Sequence, residues 1–77
     1  MISTDFVELD VIGDLCPIPV LKAKRALLSM EKGQQLKVLA TDQGSVRDFQ
    51  VYANLSGNIL LSTEKKNGVY IHLLMKK

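Results

Sequence analysis

Tryptophan is absent from this 77-residue chain, and aromatic residues amount to two tyrosines and two phenylalanines, so any core it forms must be mainly aliphatic. Its single cysteine cannot close an internal disulfide or supply a thiolate-rich metal site, which leaves the chemistry of one thiol. No apolar run is long enough to span a bilayer. The start, Met1-Ile2-Ser3-Thr4-Asp5, lacks the basic and apolar regions of a signal peptide. Neither sign of charge dominates: ten basic and eight acidic residues are interspersed for a net charge of +2, which is weak support for a polyanionic partner. These absences point to a cytoplasmic protein with a reduced thiol that has no membrane and no direct nucleic-acid partner.

What is present is a chain with 47% hydrophobic residues, enough for a packed core rather than disorder. Its length suits one domain, residues 1–77, near the lower limit for a core without staples. Phe6 to Val11 alternates, with Val7, Leu9 and Val11 on one side and Glu8 and Asp10 on the other, and predicts a half-buried strand ending at Gly13. After Pro17 the period becomes helical. Val20, Leu21, Ala23, Lys24, Leu27, Leu28 and Met30 make a helical stripe, Lys22, Arg25 and Lys32 face water, and Gly33 suits the residue just past the helix end.

Leu36 to Thr41 reads as a mostly buried strand, and Asp42-Gln43-Gly44-Ser45 as a loop with Asp42 and Ser45 as candidate helix caps. Val46, Phe49, Ala53 and Leu55 form the apolar side of a second helix that Gly57 ends. Two further strands, Ile59–Thr63 and Val69–Met75, flank Glu64 to Gly68, where Asn67-Gly68 is a strong hairpin signal. The order is β-α-β-α-β-β. A right-handed crossover between parallel strands puts the first helix over one sheet face, and the second should follow it, giving an α+β two-layer sandwich. That topology brings the loop from Asp42 to Arg47 toward Cys16.

The chemistry concentrates in Cys16-Pro17-Ile18-Pro19-Val20-Leu21-Lys22. Two prolines in three residues mark the start of the helical pattern and put the sulfur at or just before a helix N-terminus. An ordinary thiol has a pKa of about 8.5. A helix terminus lowers it by roughly one unit. Asp14 works against the thiolate and Arg47, if the fold places it nearby, works for it. Pro17 suits the first helical position, or the helix begins at Pro19 with Cys16 in its lead-in; either way Ile18 is the obvious remaining donor. The bland alternatives are a buried cysteine acting as a small hydrophobe, a solvated face for Lys22, Lys24 and Arg25, a helix cap in Asp42, a surface Arg47 and a structural His72. With one histidine and one cysteine, neither a Cys-His hydrolase nor a metal site is evident.

Gly13-Asp14-Leu15-Cys16-Pro17-Ile18-Pro19, followed by Lys22 and the helix, resembles the CPxP signature of the TusA (SirA-like) family of small sulfur carriers. Asp42-Gln43-Gly44-Ser45-Val46-Arg47-Asp48 resembles the family's second motif, Asp-Pro-x-x-x-x-Asp, with Gln43 where proline is usual. Tyr52-Ala53 stands where the family often has an aromatic residue followed by another cysteine. The resemblance covers nearly the whole chain. It implies a mixed four-stranded sheet in order 1-2-4-3 with the last strand antiparallel. It also implies a Cys16 persulfide received from a cysteine desulfurase or rhodanese-like donor and passed to an acceptor protein. The family's routes include tRNA thiolation, molybdenum-cofactor supply and sulfur oxidation. Gly13, Pro17, Pro19, Lys22, Asp42 and Arg47 are the supporting positions, and the expectation is a monomer with no cofactor, metal or independent turnover. Two other classes compete: a thiol-based redox or regulatory protein, and an RNA-binding module of similar fold.

Overall fold

In the computed structural model, which describes residues 6–77, the elements follow in the expected order. They are β1 (Phe6–Val11), α1 (Ile18–Leu28), β2 (Gln35–Ala40), α2 (Gly44–Ser56), β3 (Ile59–Lys66) and β4 (Val69–Met75). The reading of Met1 to Asp5 lies outside the described residues. The sheet order is β1-β2-β4-β3, with β1 parallel to β2 and the other two pairings antiparallel. This is the mixed sheet expected from the resemblance.

Register explains the two layers. Val11 pairs with Ala40, and Val38 with His72, so the even positions of β2 and β4 share one face with the odd positions of β1. On that face Val11, Leu36, Val38, Ala40, His72 and Leu74 are buried beneath Ala23 and Leu27 of α1 and Phe49 of α2. The opposite face bears Lys37, Leu39, Ile71, Leu73 and Met75, none of them fully buried. Two strands with parallel pairing need a long crossover, and α1 supplies it; the antiparallel β3 and β4 need only a hairpin.

The structure differs from the sequence reading in three respects. α1 ends at Leu28 with Ser29 as its cap, so Gly33, at φ +89°, belongs to the following turn and not to a helix end. There its N–H donates to the Lys76 carbonyl at 2.8 Å, and the Lys76 ammonium reaches back to the Leu27 carbonyl at 2.7 Å, a cation at the negative end of α1. Leu21, Leu28 and Leu55, assigned to apolar stripes, are 53%, 72% and 82% exposed. The packed side of α1 is Pro19, Ala23 and Leu27, a four-residue repeat; Leu28 sits one residue beyond it, and Leu21 falls midway between Pro19 and Ala23 on the opposite side. β3 runs on to Lys66, because Asn67 and Gly68, at φ 51° and 80°, turn the chain within two residues.

Candidate functional site

Cys16 lies between β1 and α1, one residue before Pro17, which is the N-cap. Pro19 occupies the start of the helix and is buried, whereas Pro17 is exposed, so the helix begins between the two alternatives at Ile18. The Cys16–Pro17 peptide is cis. Upstream, Gly13 adopts φ +89°, a left-handed conformation suited to glycine, and its N–H donates to Thr41 Oγ1 at 2.9 Å. Asp14 N–H donates to the Val11 carbonyl at 3.0 Å. The lead-in is thereby tied to the carboxyl ends of both parallel strands, where open α/β sheets place functional groups.

The thiol itself meets acids. Cys16 Sγ donates a hydrogen bond to Asp48 Oδ2, and Cys16 N–H donates to Asp42 Oδ2 at 3.3 Å. The bond to Asp48 raises the thiol pKa above its ordinary value, desolvation adds to the rise, and the charges of Asp48 and Asp42 push the same way. This reverses the expectation of a thiolate favoured by the helix terminus. The helix has little to offer the sulfur: Pro17 and Pro19 carry no N–H, and the Ile18 N–H donates to the Leu15 carbonyl at 2.8 Å.

Other sequence-selected residues fall into place around it. Asp14 does not face the sulfur as an antagonist; it is paired with Lys22 at 2.7 Å. Arg47 is exposed and is not among the groups that shift Cys16, so its part as a thiolate neighbour is corrected. Asp42 makes no side-chain cap, and neither does Ser45; the N-cap of α2 is Gln43, without a side-chain bond. The loop from Asp42 does reach Cys16, as the topology required.

Two site residues escaped the reading of individual positions. Asp48 entered it only as the end of the second motif, and Gly44 as a loop glycine. A Cβ on Gly44 would stand 2.9 Å from Asp42 Oδ2, 3.4 Å from Cys16 Cβ and 3.7 Å from Sγ, so this glycine lets α2 begin against the cysteine. The signal lay in their spacing: four residues apart on one helix, Gly44 and Asp48 share a face.

Behind this site, His72 is fully buried on β4. Its Nε2 is 2.9 Å from Ser45 Oγ, its Nδ1 is 3.0 Å from Thr63 Oγ1, and its ring lies against Phe49 with centroids 4.6 Å apart. Burial lowers its pKa from 6.5 to about 4, leaving a neutral imidazole at pH 7. One ring nitrogen then donates and the other accepts, and each hydroxyl can take the complementary part.

Cys16 itself is exposed. Ile12, Leu15, Ile18 and Leu21, all near Cys16 in the chain, are exposed, and a groove of about 400 Å³ runs beside Leu15 past Asp42 and Gln43 to Tyr70. Among the described residues no group of three His, Cys, Asp or Glu side chains could hold a metal ion, and no helix is long and apolar enough to cross a membrane.

Comparison with known proteins follows the same outline. Residues 7–77 match a family model described as sulfurtransferase TusA. The sulfur carrier protein TusA of Allochromatium vinosum is 47% identical over 70 residues, covering 91% of each chain. The protein of that name from Pseudomonas putida is 35% identical, with 96% of each chain covered. A solved structure of a SirA-like protein from Desulfitobacterium hafniense superimposes with a TM-score of 0.79 at 34% identity, over 90% of this chain and 95% of that one.

Proposed function

Since the chain belongs to the TusA sulfurtransferase family, we propose that it is a sulfur carrier whose Cys16 holds sulfane sulfur as a persulfide between a donor protein and an acceptor protein. The observation that carries this reading is an exposed lone thiol on a stiff, double-proline lead-in.

Loading is an exchange without net oxidation. The Cys16 sulfur attacks the terminal sulfur of the donor's cysteine persulfide. A new bond forms between the two sulfurs, the donor's S–S bond breaks, and the donor thiolate takes up the proton that Cys16 gives away. Unloading repeats the step with the acceptor's thiol as nucleophile and Cys16 as leaving group. Each half needs a partner's cysteine, so the chain alone turns nothing over, and no cofactor is called for. The partner classes we propose are a cysteine desulfurase or rhodanese-like donor and an acceptor in tRNA thiolation, molybdenum-cofactor supply or sulfur oxidation.

Asp48 suits a carrier that must stay unreactive between partners. By holding the proton on Sγ it restrains nonselective attack, since the thiolate is the nucleophile. The same feature speaks against a redox sensor, whose cysteine gains its sensitivity from a low pKa.

The test is intact-protein mass spectrometry after incubation with a cysteine desulfurase and cysteine, with a rhodanese and thiosulfate, and with polysulfide. A DTT-labile gain of one sulfur atom on the parent protein, absent from Cys16→Ser, is expected. Loading that persists in Cys16→Ser, or fails on the parent with all three donors, overturns the reading.

A further inference from the structure

The buried Ser45–His72–Thr63 chain has no part in the exchange chemistry, yet it is an expensive choice for a core of this kind. Leu74, two residues on and on the same face, fills its place with hydrocarbon and needs no partner. His72 requires a hydroxyl on each side, and receives one from α2 and one from β3.

The hydroxyl on α2 matters most. Ser45 lies in the first turn of a helix that has no side-chain cap and no acidic residue in that turn. Serine there would ordinarily be available to the free N–H groups of the helix start. Instead its Oγ is directed inward to His72 Nε2 at 2.9 Å. At its neighbour Gly44 a side chain would crowd Cys16 and Asp42, and Asp48, three residues after Ser45, accepts from the Cys16 thiol. Rotation of α2 about its axis would change the approach of both residues to the sulfur. The bond from Ser45 to β4 opposes that rotation at the end of the helix where the thiol lies.

We propose that His72 is a positioning residue for the Cys16 site, fixing through Ser45 the rotation of the first turn of α2 and so the approach of Gly44 and Asp48 to the sulfur. The proposal concerns how the thiol is held and rests on the carrier reading only for its biological use. It is therefore tested without any sulfur donor, and sulfur loading in Cys16→Ser tests the other independently.

The readout is the pH dependence of Cys16 alkylation by iodoacetamide in the intact chain, with folding checked by circular dichroism. Asp48→Asn sets the scale by removing the carboxylate whose hydrogen bond, and then charge, raise the thiol pKa, and its profile moves to lower pH. His72→Gln keeps a polar group at the Nε2 position toward Ser45, whereas His72→Asn keeps one only toward Thr63. Both bury an amide, and because asparagine is one methylene smaller the two are compared by the alkylation profile of the folded protein, not by stability. The expected result is a near-parent profile for His72→Gln. His72→Asn and Ser45→Ala move in the direction of Asp48→Asn by at least half its shift. Adding Asp48→Asn to Ser45→Ala then moves the profile less than Asp48→Asn does alone. Ser45→Ala removes one oxygen and carries the test if the His72 variants do not fold. An unshifted profile in Ser45→Ala overturns the proposal, as does equal behaviour of folded His72→Gln and His72→Asn, or an Asp48→Asn profile that does not move.

Discussion

At the scale of single residues, the reactivity of Cys16 is a contest between a helix end and two carboxylates. A helix terminus is worth about 0.3–1 kcal/mol and acts through free N–H groups, and here the prolines and the Ile18–Leu15 bond leave few of them. A carboxylate in direct contact acts at closer range, and the acids win. Gly44 is where this balance can be adjusted from outside the pair. In Gly44→Ala the new methyl would meet the Asp42 carboxylate at 2.9 Å, the far end of a side chain that can rotate. That contact is with a side-chain end and the Cys16 atoms lie at 3.4 Å or more, so folding should suffer little. With Asp42 turned aside, the Cys16 alkylation profile should move to lower pH while the thermal midpoint stays near the parent's. An unmoved profile would mean that Asp42 has no electrostatic hold on the thiol.

At the scale of elements, the lesson comes from neighbouring leucines. Leu27 is 1% exposed and Leu28 is 72% exposed, although hydropathy treats them alike. Leu27→Ala should destabilise by about 2–5 kcal/mol through lost burial and a cavity. Leu28→Ala should stay within about 0.5 kcal/mol of the parent. Urea unfolding measures both, and similar losses would show that the stripe of α1 is wrongly oriented. A domain of this size commonly holds on the order of 0.05–0.15 kcal/mol per residue, so the Leu27 change alone could consume a large share of it. The same reasoning gives Gly57 its place: at φ 83° it closes α2, and its N–H donates to the Ala53 carbonyl at 3.1 Å.

At the scale of the whole molecule, His72 couples folding to pH. Its folded pKa of about 4 lies below the 6.5 of the free side chain, so the unfolded chain binds more protons between those values. The stability due to a neutral His72 is fully present above pH 6.5 and is lost as pH falls from 6.5 to about 4. At about 1.36 kcal/mol per pKa unit the loss is on the order of 3 kcal/mol. His72→Phe, which retains a ring against Phe49, should flatten that part of the curve of unfolding free energy against pH. A slope that survives in His72→Phe would assign the acid sensitivity to carboxylates.

Most of this protein's plan is local and therefore legible in the chain. The alternation of Phe6–Val11, the Asn67-Gly68 hairpin, the stop at Gly57 and the setting of Cys16 just ahead of two prolines depend on residues near in sequence. Periodicity and turn chemistry act over a few residues, so the order of elements follows from them, whereas the strand order of the sheet is what the family resemblance implies. What only the tertiary structure decided are the contacts across 26 to 32 positions of chain: Asp42 on the Cys16 amide and Asp48 on its sulfur. The state of the thiol was misjudged for that reason. A helix N-terminus can be read along the chain, but which carboxylate faces it depends on the rotation of another helix, fixed by packing and by a buried hydrogen bond to a strand near the chain's end. Electrostatics falls off with distance in space, and the sequence lists only distance along the backbone.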